Sequence, residues 1–165
     1  RIKLEVANIP AHTRAPLPLK LNYEFLPDGY RDTLIYVESL EEVMADKIIS
    51  LPVTQRYVRH RDIWDLAWLQ QQGAQLDIEL VKNKVADYQL EQYQPMLSHL
   101  IDRLPELTTS PEFIGEMKRF LDTEVFDRTL GKEKFQLYLQ NTLTELFKTV
   151  LSKMFTEAKE PDFKV

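Results

Sequence analysis

Ser39-Leu40-Glu41-Glu42-Val43-Met44-Ala45-Asp46-Lys47-Ile48-Ile49-Ser50-Leu51-Pro52, then Arg56, then Arg61-Asp62-Ile63-Trp64-Asp65-Leu66, is the stretch where strand-like patterning gives way to helical patterning. Ser39 with Glu42 three residues later forms a capping box, which opens a helix that Pro52 closes. At about 100° per residue, Leu40, Val43, Met44 and Leu51 make one stripe, and Lys47 falls in its middle. Asp62 occupies the same face as Leu66 and Leu69 on the next helical segment. Charges placed on apolar faces need partners, or they cost several kcal/mol. A short connection would make the two segments neighbours. Lys47 and Asp62 are therefore either a structural ion pair tying two helices together or part of a phosphate-handling site. In the second case the lysine is a point charge for a triphosphate, and arginine grips phosphate bidentately.

Upstream, residues 1–8 alternate strictly: Ile2, Leu4 and Val6 share one face, Lys3 and Glu5 the other. Pro10, Pro16 and Pro18 make residues 9–20 a loop or edge segment, because a central strand needs their missing N–H groups. Residues 21–27 read as a short strand ending at the Pro27-Asp28-Gly29 turn, and residues 33–37 as another. Downstream the pattern stays helical. A second helix, about 58–72, is apolar nearly all round and should be central, with Gly73 as its C′ residue. A third follows Asp77, and a fourth covers about 91–104 and accommodates or ends at Pro95 and Pro105. Ser110-Pro111-Glu112 starts another. A long amphipathic helix over about 132–158 presents Phe135, Leu139, Leu143, Leu146 and Val150 as a packing face, for this chain or for a partner. The expected class is α+β: strands in residues 1–38, then a helical region from 39 to 165.

Composition narrows the function classes. A net charge of −5 disfavours coating nucleic acid through bulk electrostatics, although Lys47, Arg56, Arg59 and Arg61 form a local basic cluster. The absence of cysteine removes disulfides, thiolate metal sites and cysteine nucleophiles. No run of roughly 18 apolar residues is present, so no membrane span is expected. His12, His60 and His99 show no zinc-ligand spacing. Trp64 and Trp68 read as core residues rather than base-stacking platforms. Glu5 is either an exposed strand residue or, on a strand of suitable position, a hard oxygen ligand for Mg²⁺.

The block from Ser39 to Leu66 resembles the C-terminal signature of the AbiEii family, nucleotidyltransferase toxins of abortive-infection and toxin–antitoxin systems. That pattern runs roughly as s-x-E-E-l-l-A-x-K-l-x-x-L, an arginine, then R-D-x-x-D-L, and this chain meets nearly every position. Lys3-Leu4-Glu5-Val6 resembles the strand bearing the third carboxylate of nucleotidyltransferase folds. The resemblance implies Mg²⁺-dependent transfer of a nucleotide from an NTP to an acceptor, tRNA in some relatives, in the cytoplasm. By that resemblance Lys47 touches the NTP phosphates and Asp62 is catalytic. Arg56 and Arg61 bind on the phosphate side, Asp65 supports them, and Glu5 is a metal ligand. The Gly-Ser motif and Asp-x-Asp pair that would complete the metal site are absent from this sequence. We therefore expect the C-terminal part of a longer enzyme, inactive alone, with residues 1–38 as the last strands of the nucleotidyltransferase-like domain. The alternative is a non-catalytic helical module that docks a partner such as an antitoxin.

Overall fold

The computed structural model describes residues 8–19, 33–54 and 57–155. The expected strands at 1–8 and 21–27, with Glu5, and also Arg56, lie outside the described residues apart from Asn8. Strand β1 (Ala15–Pro18) pairs antiparallel with β2 (Leu34–Val37), Ala15 opposite Val37 and Leu17 opposite Ile35. Leu19 N–H donates to Thr33 at 3.1 Å, so odd-numbered residues face β2. Pro16 and Pro18 then turn their missing donors away from the ladder, which is how an edge strand tolerates them. Among the described residues seven helices follow: α1 (Leu40–Val53), α2 (His60–Gln71), α3 (Ile78–Asp87), α4 (Tyr93–Thr109), α5 (Pro111–Phe120), α6 (Thr123–Arg128) and α7 (Glu133–Phe155). The class is α+β, mostly helical with one small sheet.

The helix ends follow local chemistry. Asp77 accepts from the Glu79 and Leu80 N–H groups at 2.9 and 3.1 Å, and Ser110 from Phe113 at 3.1 Å ahead of Pro111. Gly73 at φ +89° ends α2, where Ala74 N–H reaches Leu69 and Gly73 N–H reaches Gln70. The same pair of bonds ends α3, from Leu90 to Val85 and from Gln89 to Ala86. Here the left-handed position belongs to Gln89 at φ 53°, where a side chain costs about 1 kcal/mol relative to glycine. Helix α4 accommodates both of its prolines and runs four residues past Pro105. The short α6 was not expected, since its single turn and a half carries no periodicity to read.

Helix α1 is central, packed against α2, α3 and α4, while α4 lies along α7. Met44, Ile48, Ile63, Leu66, Leu97, Leu104, Leu143 and Phe147 are all buried in one core. The apolar face of α7 (Leu139, Leu143, Leu146, Val150) is spent inside the chain, so it is not a free docking face for a partner helix. Nor is α2 buried all round, because Trp68 is 46% exposed while Trp64 packs half-buried against Phe135.

Pro52 sits in the last turn of α1 and cannot donate to the carbonyl of Ile48. The Tyr93 hydroxyl supplies that bond at 3.1 Å from the first turn of α4. Burial pushes the Tyr93 phenol well above its usual pKa, so it is a permanent donor. Tyr93→Phe should leave a buried carbonyl unpaired and cost about 1–3 kcal/mol in urea unfolding. A loss below a few tenths would show that another donor replaces it.

Candidate functional site

Lys47 projects from the second half of α1 toward the first turn of α2, where the N-terminal end of the helix favours negative charge. Its ammonium lies 2.8 Å from Asp62 Oδ1 and 2.7 Å from Asp65 Oδ2. The second oxygen of Asp62 accepts from Ser50 Oγ at 2.8 Å and lies 3.1 Å from Arg59 Nε. Asp62 is only 4% exposed, so these partners replace nearly all of its hydration. Burial works to lower the Lys47 pKa, but Asp62 and Asp65 more than offset it and the value is raised. The amine is therefore a fixed cation at neutral pH and not a general base. An ammonium has three N–H donors, and two are taken here.

Lys47, Ser50, Arg59 and Asp62, but not Asp65, line a cleft of about 380 Å³. Ser50, Lys47, Asp62 and the half-exposed Arg59 cluster in its lining, which also holds Glu38, Asp46 and Thr54 and the apolar Val43, Ile49, Val53 and Leu90. The structure thus brings together Lys47, Asp62 and Asp65. It does not bring Arg61 to them. Arg61 lies 3.4 Å from Glu116 and stacks over Phe120 at 4.6 Å, on the side facing α5, with His60 also 3.0 Å from Glu116. Among the described residues, Arg59, at the N-cap position and three residues before Asp62, is the arginine that reaches the aspartate.

A second ionic group lies nearby. Lys84 of α3 is 2% exposed, with its ammonium 2.7 Å from Glu42, 3.2 Å from Asp46 and 3.5 Å from Glu38. Its remaining contact is the Pro10 carbonyl at 3.3 Å. Glu42, fully buried, also accepts from the His12 N–H at 2.8 Å, the Thr13 N–H at 2.6 Å and the Thr13 hydroxyl. The expected capping box is thus rewired. Ser39 caps Glu42 N–H at 3.2 Å, but the Glu42 carboxylate leaves the helix end, and Thr13 Oγ1 receives the Ser39 N–H at 3.0 Å. Lys84 was missed in the sequence although Leu80 and Val81, one turn before it, give the same signal that exposed Lys47. Its group fastens residues 10–13 to α1 and α3, and His12 Nε2 adds a contact with Asp87 at 2.8 Å.

For Mg²⁺, the described residues contain no group of three His, Asp or Glu side chains able to hold an ion. The oxygens of Asp62 are engaged by Lys47, Ser50 and Arg59, so the residues described do not by themselves fit a metal site. No helix among the described residues is long and apolar enough to cross a membrane.

A helical protein with a part-buried lysine paired to a buried aspartate in the lining of a cleft is what the fold and site define. The family model for the nucleotidyl transferase AbiEii toxin of type IV toxin–antitoxin systems matches residues 1–163, and the chain belongs to that family. No curated protein and no solved structure matches it.

Proposed function

We propose that Lys47, Arg59 and Asp62 form the phosphate-binding side of a site that transfers a nucleotide from an NTP to an acceptor, with RNA as the acceptor. The observation that carries this reading is the Lys47 ammonium, held by two aspartates with one donor left over beside a cleft that Arg59 also lines. In such a transfer the acceptor hydroxyl oxygen bonds to the α-phosphorus, the bond to the β-phosphate breaks, and pyrophosphate leaves. This chemistry asks chiefly for positioning and for neutralisation of charge on the phosphates. A lysine that stays protonated and a neighbouring guanidinium supply that charge. Asp62 holds the lysine, and Asp65 fixes its direction from one turn along α2.

Mg²⁺ belongs to the same proposal for the complete gene product, with Glu5 and Arg56 as its expected contributors on the metal and phosphate sides. So do a cytoplasmic setting, where NTPs and RNA occur together, and an antitoxin encoded as the counterpart of the toxin. Incubation of the complete gene product with labelled NTPs, Mg²⁺ and total RNA should label RNA. Asp62→Asn should reduce that labelling by about 100-fold or more. Wild-type protein that labels no RNA with any of the four NTPs would overturn the reading.

A further inference from the structure

Tyr88 is 41% exposed, an aromatic ring left open on the wall of the same cleft that holds Lys47 and Asp62. Its position is tightly determined. Tyr88 follows the last residue of α3, one turn after the buried Lys84, and its N–H bonds to the Lys84 carbonyl at 3.0 Å. The next residue, Gln89, takes the left-handed conformation that closes α3 and turns Leu90 back onto the cleft. A non-glycine residue held at positive φ is strain that the surrounding structure must maintain. The residues on either side of it, Tyr88 and Leu90, both line the cleft.

The cleft is therefore mixed in character. Lys47 and Arg59, both paired with Asp62, carry its N–H donors. Tyr88, Leu90, Val43, Ile49 and Val53 make a wall for a flat apolar body. Glu38 and Asp46 also line the space, where both lie beside the Lys84 ammonium. The unused Lys47 donor and the half-exposed Arg59 can bond the phosphate oxygens of a ligand whose planar body lies on this wall, and the space of about 380 Å³ is within the range of small-ligand sites.

We propose that Tyr88 is the stacking platform for the base of the bound nucleotide. This deepens the nucleotidyl transfer reading and rests on it. Stacking of a base on an aromatic ring is sequence-tolerant and changes affinity by about 5- to 100-fold when the ring is removed. The test uses the complete gene product, each of the four NTPs with Mg²⁺, and RNA as acceptor. Tyr88→Ala and Tyr88→Leu should both raise the KM for NTP by about fivefold or more, and Tyr88→Phe should restore the wild-type value. Since the ring is exposed, all three variants should unfold close to wild type. A wild-type KM in Tyr88→Ala, or in Tyr88→Leu, overturns the platform. If Asp62→Asn and Lys47→Met abolish labelling while Tyr88→Ala leaves KM unchanged, the platform alone falls. If those two variants label RNA as well as wild type, the transfer site itself falls, and the platform with it.

Discussion

Replacing Lys84 with methionine should remove about 3–5 kcal/mol of stability, a large part of what a domain of this size possesses. The loss arises from what stays behind. Glu42 is fully buried, and Asp46 and Glu38 stand beside it, so one ammonium offsets three carboxylates. Methionine fills the space of the lysine stem but leaves those charges uncompensated. Thermal unfolding should fall by roughly 10 °C or more. Adding Glu42→Gln to Lys84→Met should recover part of the deficit, because neighbouring charges do not contribute additively. A Lys84→Met protein within about 1 kcal/mol of wild type would show that the cluster relaxes or hydrates freely.

The same cluster sets an acid limb. Burial alone would raise the Glu42 pKa, but Lys84, Thr13 and the His12 N–H outweigh it and hold the carboxyl at about 2, below its ordinary 4.5. A depressed carboxyl contributes stability above the unfolded pKa and loses it as pH falls through the folded value. Wild-type stability from Glu42 should therefore be complete above about pH 4.5 and decline toward pH 2. Glu38 works in the opposite sense, since burial and the Asp46 charge raise its pKa and oppose the ionised state. The gap between wild type and Lys84→Met should narrow across that acid window, which stepwise urea unfolding measures directly.

How much of this was legible follows from the range of each signal. The pairing of Lys47 with Asp62 could be read because both interrupt apolar stripes on helices joined by a short connection. Asp77, Ser110 and Gly73 could be read because capping acts within three or four residues of the chain. Arg59 and Arg61 could not be ranked, because their directions depend on where α2 begins. With His60 as the first residue, Arg59 faces Asp62 and Arg61 is carried round to Glu116 and Phe120. The contact between Thr13 and Glu42 spans 29 positions, and no local pattern announces it. Trp68 was misplaced for a related reason: periodicity found an apolar helix, but α7 covers α2 only in part.

The two lysines, Lys47 on α1 and Lys84 packed against it from α3, separate structure from chemistry, and Lys47 supplies the decisive measurement. Lys84 has every donor directed at protein atoms and no exposed surface to offer a ligand. Lys47 is only partly buried and keeps a donor for the cleft. Lys47→Met should reduce labelling of RNA by about 100-fold or more, since charge that offsets developing negative charge on the phosphates is lost. It should also destabilise the protein, but by only about 1–3 kcal/mol, because Asp62 retains Ser50 and Arg59. Activity and stability therefore change together in the single variant and must be separated. Lys47→Met with Asp62→Asn removes both members of the pair, leaves no buried charge uncompensated, and should return unfolding close to wild type. Its labelling activity should remain lost. A double variant that regained activity along with stability would make Lys47 a bridge between α1 and α2 and nothing more. A stable but inactive double variant shows that the pair is needed for the transfer itself and not only for folding.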